Sequence, residues 1–84
     1  MVNLIEWIVN DVGRMFNLKF RLEKVNVVLS KKVEFNFRDE YGEPLRIIIY
    51  ENSSTIQIGY HWGEFIRALW ERFRYCRLLR GIRG

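Results

Sequence analysis

The hydrophobic residues of this chain recur with two different periods, and this change of period constrains the fold more than any other feature. Between residues 2 and 16, apolar side chains recur every three or four positions. From residue 18 to residue 60 they alternate with polar side chains, and from Trp62 the longer spacing returns. A spacing near 3.6 is typical of a helix with one buried face, whereas alternation is typical of a half-buried strand. The sequence therefore predicts a helix, a set of strands and a second helix.

Short polar segments divide the alternating region into strands. The predicted strands span residues 18–29, 33–38, 45–51 and 55–60, with a break or bulge near Lys24. The segments between them contain Ser, Asp, Asn, Gly and Pro, which favour turns. Because the connections are short, neighbouring strands should pair antiparallel. We therefore expect an α+β fold with an N-terminal helix, an antiparallel meander of three to four strands and a C-terminal helix, both helices packing on one face of the sheet.

The ends of the two helices are predicted from local signals. Asn17 follows the first helical segment and can adopt the left-handed conformation that often terminates a helix. The second helix should run from Trp62 to about Leu79 or Arg80. A chain of 84 residues suffices for one hydrophobic core. We expect a single compact domain, residues 1–84, with a short basic C-terminal tail at about 80–84.

Residue types that support catalysis or metal binding are scarce. With one cysteine and one histidine, the chain can form neither an internal disulfide nor a four-ligand zinc site. His61 stands at a strand-to-helix junction without a nucleophile beside it, and Cys76 falls on the apolar stripe of the last helix. We expect Asp39 and Glu40 to be solvated in a turn. The sequence thus predicts a protein that is not an enzyme, with no cofactor, no metal and no small-molecule substrate.

Positive charge is concentrated near the C-terminus. Residues 1–65 contain 8 basic and 9 acidic side chains, whereas residues 66–84 contain 6 arginines and 1 glutamate. Arginine suits phosphate groups because its planar guanidinium can donate two parallel hydrogen bonds. Two adjacent lysines in a predicted turn form a second, smaller basic cluster. The candidate nucleic-acid-binding residues are therefore Arg72, Arg74, Arg77, Arg80, Arg83, Lys31 and Lys32.

Other interpretations of the C-terminal arginines stay open. Cations near a helix C-terminus stabilise it by about 0.3–1 kcal/mol through the helix dipole. Pairs at i,i+4 spacing, such as Arg67 and Glu71, add about 0.2–0.5 kcal/mol on a solvated helix. The same arginines could meet an acidic protein surface. Residues 62–83 are also basic and amphipathic, but their apolar face is needed to cover the sheet, so we do not expect membrane binding.

Two tryptophans lie off the apolar faces of their helices. On a helical wheel, Trp7 lies about 120° from the centre of the apolar face of the first helix, and Trp70 is similarly oblique on the second. Each ring could cap the edge of the sheet, fill a homodimer contact or stack on a base. Because tryptophan is a common interface anchor, we treat Trp7 and Trp70 as candidate interface residues and expect a homo-oligomer.

The order of helix, antiparallel strands and helix is similar to that of double-stranded RNA-binding domains. That family opens its last helix with a lysine cluster that binds phosphates. Here the corresponding residues are His61, Trp62, Gly63 and Glu64. The resemblance is therefore one of topology, and the phosphate-binding motif of that family is not matched.

These features lead to one function and one alternative. We expect a small binding module that contacts a nucleic-acid backbone through its C-terminal arginines, with little sequence specificity. The alternative is a protein-interaction or self-associating module with no nucleic-acid role. The N-terminal segment has no basic region before its apolar residues, and no stretch has the length of a membrane span, so we expect a cytoplasmic protein.

Overall fold

The computed structural model describes residues 2–28, 31–50 and 55–75. Its elements are α1 (Val2–Met15), β1 (Phe20–Val28), β2 (Lys32–Asp39), β3 (Pro44–Tyr50), β4 (Ile56–Gly59) and α2 (Gly63–Tyr75). The strands form one antiparallel sheet in the order β1-β2-β3-β4. The predicted α+β meander is therefore confirmed, with four strands. The predicted continuation of the last helix to Leu79 or Arg80, and the basic tail, lie outside the described residues.

A tight C-terminal cap reverses the chain between α1 and β1. Asn17 has a φ of 58°, as its position predicted. The Leu18 N–H donates to the Gly13 carbonyl at 2.8 Å, and the Asn17 N–H donates to the Arg14 carbonyl at 3.3 Å. These two bonds form a Schellman motif. A Cβ at Gly13 would lie 2.8 Å from the Leu18 carbonyl oxygen, so glycine permits this close reversal.

A bulge keeps the apolar residues of β1 on one face of the sheet. The pairing of β1 with β2 shifts between Leu22 and Lys24, which leaves Glu23 as an extra residue. Three positions separate Leu22 from Val25, yet each pairs with a buried phenylalanine of β2. Without the extra residue, the alternation of the strand would place Val25 on the opposite face. The predicted irregularity near Lys24 is thus confirmed, and Glu23 and Lys24 both lie on the face away from the helices.

Both helices pack on one face of the sheet. The core contains four residues of α1, four of the sheet and three of α2, each 3% exposed or less: Ile5, Ile8, Val9, Val12, Phe35, Phe37, Leu45, Ile47, Phe65, Leu69 and Phe73. The helices run antiparallel, because Phe16 contacts Phe65 while Asp11 contacts Arg72. The opposite face of the sheet carries mainly polar side chains, and no helix in the described part of the chain covers it.

A buried carboxylate connects the β2–β3 turn to the end of β4. Asp39 is 6% exposed. Its carboxylate accepts hydrogen bonds from the Tyr41 N–H at 2.9 Å, the Glu43 N–H at 2.8 Å and the Tyr60 hydroxyl at 2.5 Å. The expectation that Asp39 is solvated was wrong, because the turn folds over the carboxylate and Tyr60 closes it off. The neighbouring Glu40 is exposed, as expected.

The hydrogen bonds to Asp39 decide its protonation. Burial raises the pKa of the Asp39 carboxyl, but the bonds from Tyr60, Glu43 and Tyr41 favour the ionised form and leave the pKa below its ordinary value. Burial and the adjacent Asp39 carboxylate together raise the pKa of Tyr60, so its hydroxyl stays protonated and remains a donor. The pair is therefore a stable carboxylate–phenol contact at neutral pH.

We predict that Asp39→Asn lowers stability by about 2–3 kcal/mol at neutral pH, since bonds to a charged acceptor are lost. The contribution of ionised Asp39 is fully present above its unfolded pKa, near the ordinary value of 3.8, and is lost as the pH falls through its lowered folded pKa. The difference in melting temperature between the two proteins should therefore shrink in acid. Thermal melts between about pH 7 and pH 2 measure it, and a difference independent of pH would contradict this role.

Candidate nucleic-acid interface

The face of the sheet away from the helices, here called the outer sheet face, is basic. It is formed by the alternate strand positions that do not enter the core. Its basic residues are Arg21, Lys24, Lys32, Arg38 and Arg46, and its acidic residues are Glu23 and Glu34. The outer sheet face thus carries a net charge of +3, although residues 1–65 as a whole sum to −1.

A single row of the sheet holds two exposed cations. Lys24 pairs with Asn36, Asn36 pairs with Arg46, and Arg46 pairs with Gly59. With neighbouring strands about 4.8 Å apart, the Lys24 and Arg46 backbones lie about 10 Å apart. Gly59 has no side chain to cover Arg46. Within the described ranges, neither Lys24 nor Arg46 takes part in an ion pair. Among the described residues, this row therefore exposes two cations that no ion pair neutralises.

One corner of the outer sheet face is partly neutralised. Arg21 and Arg38 lie opposite each other on β1 and β2, and Glu23 from the bulge reaches both. The guanidinium of Arg21 lies 3.1 Å from the Glu23 carboxylate, and that of Arg38 lies 3.2 Å from it. The hydrogen bonds from Arg21 and then Arg38 hold the Glu23 pKa below its ordinary value. Arg38 also donates to the Gly42 carbonyl at 2.7 Å. The charged groups of this corner therefore contact one another or the protein backbone.

The opposite end of the outer sheet face carries Lys31 and Lys32. Lys31 is exposed in the turn, where its N–H donates to the Val28 carbonyl at 2.9 Å. Lys32 is half-buried, with its Nζ 5.7 Å from the centroid of the Tyr50 ring. The Tyr50 hydroxyl donates to Gln57 Oε1 at 3.2 Å. Tyr50 is therefore held by its neighbours on this face.

Arg72, a predicted site residue, joins the two helices. Its guanidinium forms an ion pair with Asp11 of α1, which also pairs with Arg14 at 2.7 Å. The hydrogen bond from Arg72 is the main cause that holds the Asp11 pKa below its ordinary value. The Arg72 and Asp11 side chains are 32% and 26% exposed. The Arg72 side chain therefore links α2 to α1.

The other predicted basic residues of the C-terminal segment fall in two groups. Arg74 is exposed on the last turn of α2. Arg77, Arg80 and Arg83 lie outside the described residues. The direction of α2 is set by its contacts, because Phe65 near its start packs on Phe20 at the start of β1. Because α1 turns back directly into β1 and α2 runs antiparallel to α1, α2 runs toward the end of the sheet that carries Lys31, and Arg74 lies near that end.

The two tryptophans lie on different flanks of the helix pair. Trp7 is 57% exposed and Trp70 is 40% exposed. On a helical wheel, Trp7 is about 40° from Asp11, on the flank of α1 near α2, whereas Trp70 is about 180° from the side of α2 that faces α1. The geometry does not bring Trp7 and Trp70 onto one shared surface.

Sequence reasoning missed the basic residues of the outer sheet face: Arg21, Lys24, Arg38 and Arg46. A sum of charges along the chain hides them, because Asp39 at the end of β2 and Glu40 and Glu43 in the following turn are close to them in sequence but do not lie on the outer sheet face. The signal that could have found them is the alternation itself. Taking only the polar member of each alternating pair selects the face opposite the core.

Catalytic and metal-binding groupings are not found in the described part of the chain. His61 is exposed, and its ring lies 4.5 Å from that of Tyr60. Within residues 2–28, 31–50 and 55–75, no group of three His, Cys, Asp or Glu side chains is placed to hold a metal ion. In the same ranges, neither helix has the length and apolarity needed to cross a membrane. Comparison with protein-family models, curated proteins and solved structures found no match to this chain.

We predict that Arg72→Gln lowers the melting temperature at neutral pH, because the ion pair between the helices is lost. Arg67→Gln, on the exposed side of the same helix, is the matched control and should change it little. The Arg72 effect should fade as the pH falls below the ordinary Asp11 value of 3.8 and through its lowered pKa. Thermal melts of the three proteins measure this. Equal effects of the two substitutions would contradict a specific role for Arg72.

Proposed function

We propose that this protein is a small, non-enzymatic module that binds the backbone of a nucleic acid with little sequence specificity. The observation that carries the proposal is the outer sheet face, which combines five basic side chains with two acidic ones on a face that the helices leave open. A nucleic acid presents a dense row of phosphate charges, and neutralising them with Lys and Arg supplies most of non-specific affinity. We place the protein in the cytoplasm as part of the same proposal.

The Lys24–Arg46 row supports phosphate binding in particular. Both side chains are exposed on the outer sheet face, and Asn36 between them offers a neutral hydrogen-bonding group. Lysine and arginine at this spacing can contact successive phosphates of one strand without reading a base. The ion-paired corner formed by Arg21, Glu23 and Arg38 lies on one side of the row. A nucleic-acid backbone lying along the row would be attracted by Lys24 and by Arg46.

Base recognition receives less support than backbone binding. Aromatic side chains that stack on bases lie open on a surface in typical single-strand binders. On the outer sheet face Tyr50 is half-buried, with Lys32 over its ring and its hydroxyl bonded to Gln57. Specificity for one base sequence is therefore not part of the proposal.

The C-terminal arginines extend the same proposal. Arg74 and Lys31 lie at one end of the fold, and Arg77, Arg80 and Arg83 follow Arg74 in the sequence. The arginines of this segment would add phosphate contacts to those of the sheet. The proposed binding surface is thus the outer sheet face together with the C-terminal arginines.

We predict that Lys24→Gln with Arg46→Gln weakens binding to single-stranded and duplex oligonucleotides. Loss of two phosphate contacts should also reduce the slope of log K against log salt by about two. Arg14→Gln with Arg67→Gln removes the same charge from the helices and should bind like the unaltered protein. Fluorescence anisotropy at about 50 and 200 mM salt measures both. Identical weakening by the two pairs, or no binding of the unaltered protein at the lower salt, would contradict the proposal.

A separate variant measures how much the C-terminal arginines contribute to nucleic-acid affinity. An Arg74→Glu, Arg77→Glu, Arg80→Glu variant should also lose affinity and salt dependence if the segment contacts phosphates. Because Arg72 is left in place, the ion pair to Asp11 is kept, and a thermal melt of the variant checks that it is folded. Unchanged affinity in this variant would confine the binding surface to the sheet.

A further inference from the structure

The edge strand β1 carries an exposed apolar segment. β1 is nine residues long and lies at one edge of the described sheet, whereas the opposite edge strand β4 has four residues. Between Lys24 and the end of the strand, β1 consists of Val25, Asn26, Val27 and Val28, with no charge and no proline. The three valines are 36%, 67% and 37% exposed. Natural sheets usually protect such an edge with charges, prolines or a cover, so this segment is suited to pairing with another strand.

The backbone groups of Val25 and Val27 point to the open edge. The Val28 carbonyl accepts the Lys31 N–H at 2.9 Å, so the polar groups of Val28 are directed toward β2. Because these directions alternate along a strand, the N–H and C=O of Val27 and Val25 are directed away from β2. Their side chains lie on the helix side of the sheet, where Val25 pairs with Phe35. Within the part of the chain that the structure describes, this edge therefore presents backbone groups with no strand beside them, together with an apolar strip.

We propose that β1 pairs antiparallel with β1 of a second copy of this chain, on a two-fold axis through Asn26. In this register Val25 lies opposite Val27 of the second copy, and Val27 lies opposite its Val25. Each pair exchanges two backbone hydrogen bonds, so four bonds form around the axis. The valine side chains contact each other on the helix side of the sheet.

The ends of the regular segment select the register, and the sequence Val25, Asn26, Val27, which is the same in both directions, favours a second copy as the partner. The bulge lies between Leu22 and Lys24, and the strand ends at Val28. The uninterrupted segment 24–28 is therefore centred on Asn26, and a shift in either direction would run into the bulge or past the strand end. An antiparallel pair of identical strands is self-complementary by symmetry. In this register Lys24 meets Val28 of the second copy, so like charges do not face each other.

The pairing would also enlarge the surface proposed above, although it does not depend on that function. A two-fold axis perpendicular to the sheet places both outer sheet faces on the same side of one eight-stranded sheet. The Lys24–Arg46 rows of the two copies would then form one basic surface across the seam. The mass of the protein in solution tests the pairing whether or not nucleic acid binds.

We predict that sedimentation over about a hundredfold range of concentration shows a monomer–dimer equilibrium, since association follows mass action. Val27→Pro removes an N–H directed to the open edge and leaves the bonds to β2 in place, so it should be monomeric where the unaltered chain is dimeric. Val27→Lys should do the same if the proline variant fails to fold. Trp7→Lys replaces an apolar residue of similar exposure on α1 and should leave the dimer intact.

A cross-linking experiment tests the register. In a Cys76→Ser background, Asn26→Cys places two thiols at a non-hydrogen-bonded pair with Cα atoms about 4.5 Å apart, which suits a disulfide. Lys24→Cys is the matched control, because the two thiols would be separated by about four residues along the strands, roughly 14 Å. Oxidation should give a covalent dimer for Asn26→Cys alone.

Three results would overturn the proposal. If the protein is a monomer at every concentration, β1 does not pair with a second copy, and a strand of a different protein becomes the candidate partner of this edge. Loss of the dimer in Trp7→Lys but not in the Val27 variants would place the interface on the helices. Faster cross-linking of Lys24→Cys than of Asn26→Cys would exclude the register centred on Asn26.

Discussion

The packing of both helices onto one face of the sheet is the constraint on which the rest of this structure depends. Their apolar residues and those of the sheet form one core, and the bulge at Glu23 keeps the second half of β1 in register with it. The other face is then left to polar side chains, because the described helices do not cover it. Its cations, with Lys24 and Arg46 in one row, are the charged surface that results.

Most of the fold could be predicted because its signals are local. The change of hydrophobic period marks the helices and strands, Asn17 marks the end of α1, and the shift in alternation marks the irregularity near Lys24. The burial of Asp39 could not be predicted from its turn sequence. It depends on Tyr60, which is 21 positions away and reaches the carboxylate only after β4 has joined the sheet.

The candidate site was harder to predict, because the fold places charged residues that are close in sequence on different surfaces. Acidic residues of the β2–β3 turn cancel the sheet cations in any sum along the sequence, yet they lie apart from the Lys24–Arg46 row. Likewise, Arg72 reads as one member of an arginine-rich segment until the pairing of α1 with α2 brings it to Asp11. Arg77 and the arginines beyond it remain predictions.

We propose that the outer sheet face is the surface that meets a nucleic-acid backbone. A titration of the isotopically labelled protein with a short single-stranded oligonucleotide, followed by amide NMR shifts at low salt, tests it most directly. The account predicts shifts along the row of Lys24, Asn36 and Arg46, with the core residues of α1 such as Ile8 unchanged. Shifts confined to the helices, or none at all, would contradict it.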